Sequence, residues 1–192
     1  MMNRILVLII PLILLSCQDE VLPKPKAFLR LEYPSPEYKI ENPDLPFFFE
    51  RNKLAENIGP IKISRDGKSK GIDIVYPDLK GTIYLTYKEV SENLESYLID
   101  AQNLTQKHTI KADEIIEQPY INAENRVYGM FYEVGGNAAS QSQFYVTDSL
   151  KHFITGSLYF YAKPNYDSIL PAAFYLRNDI KHIMESIRWI DK

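Results

Sequence analysis

Two stretches of this chain repeat their apolar residues every three or four positions, and nearly all the rest alternates or is broken by turn residues. Leu94, Tyr97, Leu98, Ala101 and Leu104 form one stripe and predict an amphipathic helix over 92–108. Ala173, Leu176, Ile180, Ile183 and Ile187 form the other and predict a helix over 168–188. Ser91 is placed to cap the first helix and Asp167 or Ser168 the second, because a side-chain oxygen can accept from an otherwise unpaired amide. Pro171 falls in the first turn of the second helix, where a missing amide costs little. His108, in the last turn of the first, suits the negative end of the helix dipole.

Around these helices the period drops to two. A short first strand is expected at 29–32, ended by the prolines of Tyr33-Pro34-Ser35-Pro36, and a buried one at Phe47-Phe48-Phe49. Residues 61–64 and 71–76 alternate on either side of Asp66-Gly67, a pair that supplies the left-handed geometry of a hairpin turn. Strands follow at 82–87, and after the first helix at about 112–117, 126–134, 142–147 and 152–161. Aromatic residues favour a half-buried pleated surface, so a chain with 14 tyrosines, eight of them in these runs, points to a large sheet. The order strands, helix, strands, helix lacks a βαβ alternation. It predicts an α+β domain, an antiparallel sheet carrying two helices. The arrangement resembles the Mog1/PsbP-like architecture, which assigns no function by itself.

The N-terminus carries a different signal. A basic start ending at Arg4, an apolar run from Ile5 to Leu15 and the closing Leu14-Leu15-Ser16-Cys17 have the order of a secretory signal. The run is shorter than the ~20 residues a membrane span needs, and Pro11 interrupts it. Cys17 is the one cysteine in the chain, so no intramolecular disulfide can form, and its place after Ser16 resembles a bacterial lipobox. The expected organisation is a signal peptide over 1–16, a lipidated Cys17 opening a proline-bearing tether over 17–28, and a globular domain over 29–192. The tether's acidic pair, Asp19-Glu20, faintly resembles a surface-export signal, although solvation alone favours such residues. Gln18 after the cysteine favours the outer membrane, periplasmic face, as the place of anchoring. The formal net charge is −3, one unit more negative once Arg4 is removed, with no basic stripe to hold nucleic acid.

Catalytic signatures are absent from the sequence. His108, His152 and His182 show no metal-ligand spacing, so neither a metal nor another cofactor is expected. There is no G-x-S-x-G elbow, and Gly135-Gly136 lacks the remainder of a phosphate loop. A carboxylate pair assembled by folding would be the route to a glycan hydrolase. The segment 135–143 joins two aromatic strands and reads first as a flexible, polar hairpin connection. It is also the candidate partner-binding loop, in which Asn137, Ser140, Gln141 and Gln143 would hydrogen-bond to a protein backbone or a sugar while Tyr132 or Tyr145 supplied stacking area. Asp148-Ser149-Leu150 and Asp167-Ser168-Ile169 match a short O-glycosylation pattern of envelope proteins.

Several longer stretches resemble one family. Leu22-Pro23-Lys24-Pro25-Lys26 running into Leu29-Arg30-Leu31-Glu32-Tyr33-Pro34 is the first, and Ala101-Gln102-Asn103-Leu104-Thr105 the second. Tyr128-Gly129-Met130-Phe131-Tyr132-Glu133-Val134, Gly136-Asn137-Ala138-Ala139-Ser140-Gln141-Ser142-Gln143 and His152-Phe153-Ile154-Thr155-Gly156-Ser157 follow in order. With the lipobox ahead of them, they are similar to the gliding-motility lipoprotein GldD of Bacteroidota. The resemblance implies a role in gliding motility and the associated type IX secretion machinery. It implies a membrane anchor through lipid, machinery proteins as partners, and no catalytic residues to carry across. The alternatives from other classes are a cell-wall glycan-binding module and a hydrolase.

Overall fold

The computed structural model describes residues 31–107, 112–161 and 166–190, with side chains from 169 onward in the last segment. The signal segment, Cys17, the tether and His108 therefore lie outside the described residues. So do the side chains of Asp167 and Ser168.

Among the described residues, ten strands and two helices form one α+β domain. Strands β1 (Tyr38–Leu45), β2 (Phe47–Asn52), β3 (Lys62–Ile63), β4 (Ser69–Tyr76) and β5 (Gly81–Glu89) precede helix α1 (Leu94–Gln106). Strands β6 (Ala112–Asn122), β7 (Val127–Gly136), β8 (Ser140–Thr147) and β9 (His152–Phe160) lead to helix α2 (Tyr166–Ser186) and a final short strand, β10 (Arg188–Trp189). All pairings are antiparallel. The large sheet has the order β3-β4-β5-β9-β8-β7-β6, and a small one the order β1-β2-β10.

Alternation fixes which face of the large sheet is dry. Ile72, Ile74, Ile83, Leu85, Phe144, Val146, Ile154 and Leu158 point one way and are buried. Against them pack Leu176, Ile180, Ile183 and Ile187 from α2 and its end, with Phe47 and Phe49 of the small sheet. The predicted stripe on α2 is thus the core stripe. Gly156 is what makes room in that layer, since a Cβ there would collide with the Phe144 ring. The other face carries α1, whose Tyr97 ring lies 5.5 Å from that of Phe153.

Some expectations shift. The first strand is Tyr38–Leu45, not 29–32; Leu31 and Glu32 have no regular structure, and Leu29 and Arg30 fall outside the described residues. β6 runs through Pro119 to Asn122, farther than the expected stop at 117, because an edge strand can spare the amide that proline lacks. Asn93, rather than Ser91, precedes α1, and its side chain makes no cap; its Oδ1 instead accepts from the Ser91 amide at 2.9 Å. Leu104 is exposed, and Thr105 takes the buried place beside Ala101. Pro171 lies inside α2, beyond its first turn, because the helix begins at Tyr166. The turn at Asp66-Gly67 forms as the sequence predicts, with Gly67 at φ +70°.

Candidate functional site

The segment expected as one loop is mostly strand. β7 continues to Gly136 and β8 starts at Ser140, leaving 137–139 as the connection. Gly136, at φ +87°, makes this tight reversal possible, and Asp113 lies where its Cβ would be. Opposite β9 the register jumps, with Ser140 facing Tyr159 and Gln143 facing Ser157. Three steps on β8 therefore match two on β9, which is a β-bulge at Gln141 and Ser142. A bulge re-aims side chains, and here both residues line a single cleft.

That cleft, about 200 Å³, lies between the first half of α2 and the strands β6, β7 and β8. Leu170, Ala173 and Phe174 of α2 form one wall, and Ile116 and Val134 of the sheet form the other. Arg177 donates to Glu133 at 2.8 Å and lies 4.7 Å from the centre of the Phe174 ring. The second Glu133 oxygen accepts from Gln118 at 2.9 Å, and Gln118 accepts in turn from Lys181 at 3.1 Å. Both carboxylate oxygens of Glu133 are thus engaged. Inside, Gln141 donates to the Ala138 carbonyl at 2.7 Å, while its Oε1 has no partner. The Ser142 hydroxyl has none either, and both residues are buried.

The other loop candidates go elsewhere. Past the bulge, Gln143 points to the α1 face, where its Oε1 accepts from Thr105 at 3.1 Å and its Nε2 is unpartnered. Tyr132 and Tyr145 lie on that same face with ring centres 6.3 Å apart, and Tyr145 stacks on Phe153. Burial raises the pKa of both phenols, so they stay protonated and remain donors. Ser140 is buried and donates to the Ser142 carbonyl at 3.2 Å, whereas Asn137 is exposed at the hairpin tip. The structure therefore divides the six residues between two faces and a tip. Phe174, Arg177 and Glu133 were not singled out by sequence. The signal for them was present in α2, where Leu170, Phe174 and Arg177 follow the helical period beside the core stripe.

The histidines have local partners. His182 meets Glu50 at 2.7 Å and stacks on Tyr38 with ring centres 3.6 Å apart. His152 lies 3.0 Å from the Tyr87 hydroxyl and stacks on Trp189. Among the described residues no group of three or more His, Cys, Asp or Glu could hold a metal ion. Nearby, Asp179 is buried between α2 and the small sheet and accepts from Tyr38 at 2.7 Å and Asn52 at 2.8 Å. Its burial outweighs these bonds and raises its pKa. Ser149 of the first glycosylation pattern is exposed, at a turn built by Asp148, whose Oδ1 accepts from the amides of Leu150, Lys151 and His152. Ser168 of the second has no described side chain.

The model of the family described as gliding motility lipoprotein GldD matches residues 18–189. The chain belongs to the GldD family. The match begins one residue after Cys17 and takes in both sheets, both helices and every residue of the cleft. No curated protein and no solved structure matches the chain. Membership in the GldD family implies a role in gliding motility and a membrane-anchored place in the cell envelope. Among the described residues no helix is long and apolar enough to cross a membrane.

Proposed function

We propose that this GldD protein is a noncatalytic, lipid-anchored docking component of the gliding apparatus and of the type IX secretion machinery associated with it. Cys17 carries the lipid, and the protein sits at the outer membrane on its periplasmic face. The observation that carries the reading is the family match over nearly all of the chain after Cys17, directly behind a lipobox. A durable anchor needs more than one acyl chain, which a lipoprotein-type cysteine provides. The cleft supports a docking role, because two of the residues that line it keep a buried hydrogen-bonding atom without a partner, Gln141 Oε1 and Ser142 Oγ.

A second reading, a cell-wall glycan-binding module, draws on the face of the large sheet that carries α1. There Tyr161 is exposed, its hydroxyl lies 2.9 Å from Thr82 Oγ1 and 3.1 Å from the Tyr84 hydroxyl, and the Tyr159 ring packs edge-on to Tyr84. Aromatic and hydroxyl groups gathered on one sheet face suit a sugar ring.

An in-frame deletion scored for colony spreading and for export of type IX cargo separates the two. The docking role predicts loss of both, restored by the wild-type gene but not by Cys17→Ala, which moves the protein out of the membrane fraction. Normal spreading and normal export would remove the docking role and leave binding to peptidoglycan fragments as the next assay.

A further inference from the structure

The cleft and the sheet edge beside it together describe a partner. Gln141 is 6 % exposed and Ser142 0 %; both residues line the cleft, and Gln141 Oε1 and Ser142 Oγ have no hydrogen bond. A buried polar atom without a partner destabilises a fold, so its persistence asks for a ligand or an ordered water. On the charged wall both oxygens of Glu133 are already engaged, one by Arg177 and one by Gln118. At the mouth Glu114 adds a solvent-exposed carboxylate. Gln141 Oε1 can only accept and the Ser142 hydroxyl can accept or donate, so a ligand that brings a hydrogen-bond donor suits both. The apolar contacts of Leu170 and Phe174 call for an aliphatic stem behind it.

Glu114 and Ile116 belong to β6, which pairs with β7 on one side and, among the described residues, with no strand on the other. Such an edge is a template for an added strand. Pro119 interrupts it, leaving the part before Pro119, which is the part that borders the cleft. A segment paired there would carry every second side chain over the α2 face, onto the cleft mouth.

We propose that the cleft receives a lysine or glutamine side chain from an extended segment of a partner protein, paired as a strand with the edge of β6. This names the partner chemistry of the docking role above and rests on that reading.

The test uses the full lipidated chain, 15N-labelled, in detergent micelles, titrated with blocked peptides Thr-Val-Xaa-Val-Thr in which Xaa is lysine, glutamine or leucine. The lysine and glutamine peptides are expected to shift the Gln141 side-chain amide and the backbone amides of 113–117. They should bind ~10-fold or more tightly than the leucine peptide, the order of effect expected for one donor to a buried acceptor. Gln141→Leu should abolish that preference, and Ser142→Ala should weaken it with the amide spectrum otherwise intact. No binding, equal binding of all three peptides, or shifts confined to another face would overturn the proposal. So would n-butylammonium chloride binding as tightly as the lysine peptide, which would mark a small-molecule site, or a crystal structure grown with the lysine peptide in which only water fills the cleft. A deletion strain that stops spreading while the peptides fail to bind retains the docking role and removes this partner. Binding by a protein whose deletion leaves spreading and export intact does the reverse.

Discussion

The two halves of α2 meet the same sheet in opposite ways. Its C-terminal half inserts Leu176, Ile180 and Ile183 among Phe47, Phe49 and the core face of the sheet, each of these residues fully buried. Polar groups there are largely matched: Asp179 has Tyr38 and Asn52, and the Glu50 amide donates to Ser186 at 2.9 Å, with the Tyr76 hydroxyl left over. The N-terminal half leaves Phe174 at 48 % exposure and stands off from the sheet over Gln141 and Ser142. One helix is thus a structural wedge at one end and the wall of a site at the other. Both ends keep a buried polar atom without a partner, the Tyr76 hydroxyl at the packed end and those of Gln141 and Ser142 at the open one, and the latter two residues line the cleft.

That contrast is sharpest in truncations. Ile180→Ala should destabilise the protein by about 2–5 kcal/mol, a transfer loss plus a cavity, measured by denaturant unfolding. Phe174→Ala, at the open end, should cost under about 1 kcal/mol. Equal losses would break the comparison. Asp179→Ala ranks next, at about 1–3 kcal/mol, because it removes the acceptor of the Tyr38 hydroxyl and leaves the Asn52 amide with the Tyr175 hydroxyl alone.

Two carboxyls refine the point. Both Asp179 and Asp148 are buried. Burial raises Asp179, and its hydrogen bonds do not offset it. Its favourable contribution is therefore present below the ordinary carboxylate pKa and lost as pH rises through its higher folded-state value. For Asp148 burial acts the same way, but the three amides at its Oδ1 win, and its pKa is lowered. Its contribution holds above the ordinary carboxylate value and fades as pH falls through the lower folded-state one. Asp179→Asn should remove a decline in stability on raising pH from about 4 towards neutrality, and Asp148→Asn a decline on acidification. Thermal melts across pH 2–7 would show both, and unchanged profiles would contradict the assignments. The smallest effect belongs to Ser142→Ala, which should leave stability within about 1 kcal/mol of wild type or raise it, since no partner is lost.

Periodicity made α2, its buried stripe and the aromatic strands legible, because a buried face must repeat with its element. β1 was not legible. Its residues Tyr38 to Leu45 include Pro43 and are exposed or half-exposed up to Asp44, so an edge strand reads there as a loop. The bulge was hidden for a related reason. Ser140 to Gln143 is a polar run, which local chemistry assigns to a turn, and only the register against β9 reveals that it is interior strand. The candidate site was therefore half visible. Gln141 could be named from sequence, but α2's Phe174 and Arg177 could not be paired with it, since that proximity is set by packing alone.

The small sheet has a consequence for timing. β2 is held on one side by its neighbour in sequence, β1, and on the other by β10, at the far end of the chain. Tyr38 and Asn52 likewise find Asp179 only across 141 and 127 residues. A chain delivered N-terminus first has Phe47 and Phe49 waiting, uncovered, until its last helix arrives. Completion of the small sheet and of the core around Phe47 and Phe49 therefore depends on contacts between the two ends of the chain, a high-contact-order step.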